Sequence, residues 1–485
     1  VRKFELYNPI RMIFGPGEFS RLGELASAYG SKPLVVAGQN HAKESGLLDK
    51  AVKQLKKAGM EAVVFQGIEP NPHLGSCRKG AETARENDCD MVIGIGGGSV
   101  MDASKAIAFG FYDPDDMWRR IAHFLPDFEP PDKALPIVLV STLAATGSEG
   151  DGGAVITNEE TKEKLGVFAE CLFPKVSIID PDLTKTVPMD YTLDGAIDMS
   201  VHVLEGYFNG DPWATFSDRA TEGFFIEVMM ALERLLAKPE DMKARSQLSY
   251  LGAIALTGFL NRPRGGDFPL HMLQHPLSGH FDISHGRGLA LLLPRWLKYV
   301  SHEKSNKIVQ FGERCFGMDL ETHHPYEAAD LAIKRLSEWL DEIGAYYFLD
   351  NLGIPNDPEM LRTLAEECIR QYADDDGTIG GIKKLGVDDV LAIYESCVRR
   401  GAPKEKVEKK ETTDEELEGE EEIEAPDSAV EPEAADGEVE VIIVEEIIEV
   451  GEGEELPEGV EGEDYVVVEE IVEEIVEEEP GEKPE

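Results

Sequence analysis

Short, unbroken apolar runs alternate with amphipathic stretches along the first 188 residues. Pro33–Gly38 reads as a buried strand ending on glycine, Leu47–Ala58 as a helix and Ala62–Phe65 as the next strand; Met91–Ile95 and Ala134–Val140 continue the series. A strand that is apolar at every position is covered on both faces, which points to a mostly parallel sheet between helices. From about Met189 the strand-like runs stop. Helical periodicity takes over at Asp194–Phe208, Ser217–Ala237, Lys243–Leu260, Leu289–Tyr299 and Tyr326–Glu342. The pattern therefore predicts an α/β domain with a mostly parallel sheet over 1–188 and an all-α domain over 189–402, with a cleft between them as the place for a site.

Beyond 402 the pattern dissolves into Glu, Val, Pro and Gly. Residues 403–485 hold 36 acidic and 5 basic side chains, net −31 of the chain's −48, which leaves −17 for the rest. High charge with few aromatics predicts a disordered acidic tail, in which Val439–Val450 and Tyr465–Glu479 share a Val/Ile-and-Glu pattern that could dock on a partner. Acidity without a basic groove argues against nucleic acid as a partner. Six scattered cysteines with no Cys-x-x-Cys predict no disulfide framework and a reducing compartment. With no apolar signal core in Val1–Leu6 and no run of membrane-spanning length, a cytoplasmic protein without a membrane partner is expected.

Candidate chemistry lies in the helical part. Asp198 and His202 are four residues apart, as are His271 and His275, and His285 follows. Such spacing puts both members of a pair on one face of a helix. Any one of these histidines, taken alone, reads more readily as a hydrogen-bonded core or surface residue than as a ligand. Four of the chain's eleven histidines falling with an aspartate in this pattern make a candidate first shell for zinc or ferrous iron rather than magnesium. A second constellation sits where strand Met91–Ile95 runs into Gly96-Gly97-Gly98-Ser99 and a helix opens. Glycines there let backbone amides approach a diphosphate at a helix N-terminus. Ser99 occupies the place of the last glycine of the common dinucleotide fingerprint, and no P-loop lysine follows.

Gly-Gly-Gly-Ser-x-x-Asp102-x-x-Lys, with Asn71-Pro72 before it and Thr142-Leu-Ala-Ala-Thr146-Gly147-Ser148-Glu149 after it, resembles the iron-containing (group III) alcohol dehydrogenases. Asp198-x3-His202 and His271-x3-His275-x9-His285-Gly286 fit the same family in the same order over about residues 1–400, nearest its NADPH-dependent butanol dehydrogenase and aldehyde reductase branch. The resemblance implies one divalent metal, Fe2+ or Zn2+, on Asp198, His202, His271 and His285, with His275 beside the reacting groups. It implies Gly97, Gly98, Ser99 and Asp102 at the diphosphate and nicotinamide, Asn71, Thr142, Thr146 and Lys164 along the cofactor groove, and a homodimer or larger assembly. Two departures stand out. Leu143 and Ala145 replace the family's usual Thr and Gly, and Pro276 directly follows His275, where a helix should kink or end.

Cofactor choice has its own argument. NADH is usually selected by a carboxylate after the second ribose-binding strand, whereas Gly38-Gln39-Asn40-His41-Ala42-Lys43 offers no acid before Glu44. Neutral donors with a nearby lysine suit the 2′-phosphate of NADP(H). The expected activity is interconversion of small aldehydes and primary alcohols with NADP(H). An NAD-linked polyol dehydrogenase or a sugar-phosphate lyase-like synthase of the same architecture, or an enzyme core whose tail binds a partner, are the alternatives.

Overall fold

In the computed structural model, which describes residues 2–39 and 41–399 (for His41 the backbone alone), the first half builds a six-stranded, all-parallel sheet. Its strands are β1 (Arg11–Phe14), β2 (Pro33–Gly38), β3 (Val63–Ile68), β4 (Met91–Gly96), β5 (Ile137–Ser141) and β8 (Val176–Ile179), in the order β1-β8-β5-β4-β2-β3. A separate antiparallel hairpin joins β6 (Gly153–Asn158) to β7 (Glu163–Phe168). Successive residues of the apolar strands go to opposite faces. Leu34, Val36, Val92 and Leu139 join one core, while Val35, Ala37, Ile93 and Val140 join the other. Helices cover both faces: α1 (Leu22–Ala26), α2 (His41–Glu44), α3 (Leu47–Lys57), α4 (Leu74–Glu86) and α5 (Gly98–Gly110).

From Met189 the described chain is helical: α6 (Met189–Asn209), α7 (Thr215–Ala237), α8 (Met242–Ala255), α9 (Pro269–Phe281), α10 (His285–Val300), α11 (Ser305–Phe316), α12 (Pro325–Glu342), α13 (Pro358–Tyr372) and α14 (Val387–Ser396). One large apolar cluster, from Ala196 through Trp296 to Tyr394, unites them. The alternating-then-helical reading thus holds, with changed boundaries. β5 starts three residues later than the apolar run, because Pro136 has no N–H and only its carbonyl reaches the sheet, accepting from Val92. α8 stops at Ala255 rather than Leu260, since Gly258 turns left-handed at φ +84°.

The expected break at Pro276 is also corrected. α9 continues through the proline to Phe281. Proline strips the i−4 carbonyl of its helical partner. That carbonyl, on Met272, accepts instead from the Cys368 thiol at 3.3 Å, and the next one, on Leu273, accepts from the Tyr394 hydroxyl at 2.6 Å. Donors from α13 and α14 therefore let the helix run on. The acidic tail from 403 and Asn40 lie outside the described residues. Among the described residues no helix is long and apolar enough to cross a membrane.

Candidate active site

Strand order places the first part of the site. β2 leads to β3 on one side and β4 to β5 on the other, so the crevice at the C-terminal ends of β2 and β4 is a topological switch point, where open α/β sheets bind ligands. Gly38 ends β2 and Gln39 follows it, and Gly96–Gly98 lead from β4 into α5 with Gly97 as its N-cap. They border a cavity of about 520 Å3 that also meets Thr142, Thr146, Asp198 and His285. A second cavity of about 350 Å3 shares Asn71, Gly98, Ser99, Thr146 and His285, and adds Asp102, Lys164, His271 and His275. Apart from Asn40, every residue expected at cofactor or metal borders one of the two cavities.

The metal-type cluster forms where α6, α9 and the start of α10 meet. Ligand atoms of Asp198, His202 and His271 lie within 4.8 Å of one another, and all three side chains are buried. His285 Nε2 stands 3.8 Å and His271 Nε2 3.9 Å from Asp198 Oδ1. The other carboxylate oxygen, Oδ2, is held by the Thr146 hydroxyl at 2.6 Å. Buried His271 Nε2 has no hydrogen-bond partner, and buried Asp198 Oδ1 has none either, its near neighbour being His202 Nδ1 at 3.0 Å, whose proton goes to the Asp198 carbonyl. Such atoms normally find one. Here they face each other across a gap suited to an ion bound at about 2.0–2.2 Å from each donor.

One nitrogen of each ring is already engaged. His202 Nδ1 donates to the Asp198 carbonyl at 2.9 Å, His271 Nδ1 pairs with the Glu205 carboxylate, and His285 Nδ1 meets Gln274 Oε1 at 2.5 Å. Occupying Nδ1 leaves Nε2 as the free donor, the usual support of a metal-binding imidazole. Burial lowers the His271 pKa, but Glu205 and Asp198 more than offset it and hold it up to about 9, so this point favours positive charge. Burial and the Lys164 ammonium push His275 and His285 well down and keep them neutral. The residues present therefore fit a divalent cation with mixed nitrogen–oxygen ligands. Thr146→Val, which removes the hydroxyl that aims Asp198, should lower metal affinity and kcat about tenfold; metal titration and steady-state kinetics would check it.

Across the cleft, Lys164 on β7 donates to Asn71 Oδ1 at 2.7 Å, and Asn71 Nδ2 donates to Asp282 Oδ1 at 2.7 Å. Both Asn71 and Asp282 have left-handed backbones (φ +52° and +49°), which their short polar side chains tolerate. Burial brings the Lys164 pKa down to about 8, against the pull of Asp198, Asp102 and Asp282. Asp102 is committed within its own lobe: its oxygens accept from Ser148 Oγ at 2.7 Å and the Val155 amide at 2.9 Å. Leu143 packs where a side chain on Gly97 would stand, 3.3 Å from the position of such a Cβ. The larger residue at this departure from the family pattern thus closes over the glycine loop.

Four contributors escaped sequence reasoning: Glu205, Gln274, Thr146 as a partner of Asp198, and Tyr372, which meets His275 Nδ1. Glu205 had a signal, since 198, 202 and 205 share one helical face. Tyr372, 97 residues from His275, had none.

Residues 9–181 match the iron-containing alcohol dehydrogenase model, and residues 192–398 match the C-terminal domain model of the same family. A probable NADH-dependent butanol dehydrogenase 1 of Bacillus subtilis is 37% identical over 398 residues, covering 82% of this chain and all of that one. The NADPH-dependent aldehyde reductase YqhD of Escherichia coli is 29% identical, covering 77% of this chain and 96% of the other. Among solved structures, NADH-dependent butanol dehydrogenase A of Thermotoga maritima superposes with a TM-score of 0.77 at 36% identity, covering 82% of this chain and 99% of its own. The chain belongs to the iron-containing alcohol dehydrogenase family and is an alcohol/aldehyde oxidoreductase.

Proposed function

We propose that the protein reduces small and medium aldehydes to primary alcohols, and the reverse, by hydride transfer with NADP(H), using one divalent metal, Fe2+ or Zn2+, held by Asp198, His202, His271 and His285. The observation that carries this reading is the pair of unpartnered buried atoms, Asp198 Oδ1 and His271 Nε2, beside a nucleotide crevice. When bound, the metal supplies Lewis acidity towards the substrate oxygen.

The chain's own residues do the rest. Amides at Gly97–Ser99 and the start of α5 cradle the diphosphate. Lys164, held by Asn71, lines the cavity where the nicotinamide would face the cluster. Val155, Val167, Leu256 and Phe268 give the same cavity an apolar wall for an alkyl chain. His275, neutral and buried, takes or returns the hydroxyl proton at its free Nε2.

For the cofactor, several relatives are named as NADH-dependent, and YqhD as NADPH-dependent. Gln39 supports the phosphorylated form. Its carbonyl accepts from Gln66 at 2.5 Å, and Gln66 borders a surface hollow with Lys43 and Lys53. Oxidation of NADPH and of NADH by butanal, followed at 340 nm, tests the reading. NADPH should give the higher kcat/KM, by about tenfold, and Gln39→Asp should reverse the preference. Equal use of both would overturn the NADP(H) assignment, and inertness towards aldehydes with either would overturn the activity. A cytoplasmic setting agrees with the six free cysteines. We further propose a homodimer or larger assembly, and an acidic tail that takes no part in catalysis, so a chain cut after Ala402 should keep full turnover.

A further inference from the structure

We infer that Tyr372 is a positioning residue that fixes the tautomer of His275 and so decides which ring nitrogen meets the substrate. The inference rests on the role given to His275 above. Tyr372 ends α13 and donates its hydroxyl proton to the Lys164 carbonyl at 2.8 Å, while its oxygen also contacts His275 Nδ1. A carbonyl has no proton to give, and a phenol has one. With that proton directed at Lys164, the phenol oxygen is left to accept, and His275 Nδ1 must carry the hydrogen. A neutral imidazole protonated at Nδ1 holds its lone pair at Nε2. His275 borders the cavity shared with His271 and His285, and Nε2 is its remaining nitrogen.

The arrangement is built from three elements of both lobes: β7, α9 and α13. Its polarity is set by a backbone carbonyl, which no side-chain rotation can reverse. The Tyr372 ring packs near the rings of both His275 and His123, each centroid 5.6 Å away, so a phenylalanine would fill the same space. The hydroxyl is what packing alone does not explain. The same helix supports α9 a second time, through Cys368 and the carbonyl freed by Pro276.

The test uses full-length, zinc-loaded protein, whose diamagnetic metal permits 15N–1H correlation of histidine ring nitrogens. His275, assigned by its loss in His275→Ala, should show Nδ1 protonated and Nε2 bare. In Tyr372→Phe that signature should become mixed or reversed, with kcat for aldehyde reduction down about tenfold, KM within about twofold and zinc content unchanged. A proton on Nε2 in the unaltered protein overturns the inference without any variant. So does a Tyr372→Phe protein that keeps both tautomer and kcat, even if it is less stable. If the tautomer shifts as expected while His275→Ala retains full turnover, Tyr372's control of the ring is upheld, and the proton-carrying role of His275 is what fails.

Discussion

Asp198→Ala is expected to leave a folded protein that retains less than about a tenth of its metal and loses about 10³-fold or more in turnover, the scale of several kcal/mol of charge stabilisation. The expectation follows from how much converges on one carboxylate. Oδ2 is spent on Thr146, so Oδ1 alone faces the Nε2 atoms of His271 and His285. Asp198 is also the only carboxylate facing the cluster's gap among the described residues, since Glu205 meets His271 at Nδ1, on the far side of the ring. Burial works against a bare carboxylate, yet the surrounding imidazoles, His202 first among them, hold the Asp198 pKa well below its ordinary value, so it stays charged across the working pH range. Metal analysis of protein purified without chelator, beside NADPH oxidation, reads both effects. Full metal content in Asp198→Ala would remove Asp198 from the shell. Retained metal with lost turnover would reassign it to orienting substrate.

Which parts of this could be seen in the sequence depended on whether the signal was local. Doubly covered strands such as Val92–Ile95 are apolar without interruption, so they announced a parallel sheet. β1 and β8, four residues each, are too short to rise above noise. α4 hid for another reason: its inner face is Cys77, Gly80, Ala81 and Ala84, small residues that permit close packing against α5 but make a faint apolar stripe. In the site, the i, i+4 pairs were visible because one helix turn sets their geometry. Their orienting partners come from other elements, and tertiary packing alone brings Gln274 to His285 or Tyr372 to His275. Pro276 misled because a local rule was overridden by donors from Cys368 and Tyr394. The acidic tail falls outside the described residues, and its reading stays an expectation from composition.

Gly286→Ala is expected to damage the site nearly as much as losing a ligand, although Gly286 donates nothing. A Cβ there would lie 2.1 Å from the Asp194 carbonyl oxygen and 2.6 Å from its carbon, both backbone atoms of α6. No side-chain rotation relieves such a clash, so α10 and α6 must part by about an ångström, at a cost of about 3 kcal/mol or more. The two helices are otherwise clamped at this point by Ser284 Oγ to Asp194 Oδ2 at 2.7 Å and Arg287 Nε to Asp194 Oδ1 at 3.1 Å. His285 sits inside that clamp, one residue from the glycine, and Asp198 lies one turn beyond Asp194. Separation therefore lengthens the 3.8 Å gap between His285 Nε2 and Asp198 Oδ1 directly. A misplacement of about 1 Å in a catalytic constellation costs about 10²-fold in rate. Lower Tm, weaker metal retention and a fall of that size in kcat should appear together in Gly286→Ala. A variant that lost stability but kept metal and kcat would show that the site tolerates movement between its two helices. The glycine after His285 would then serve packing alone.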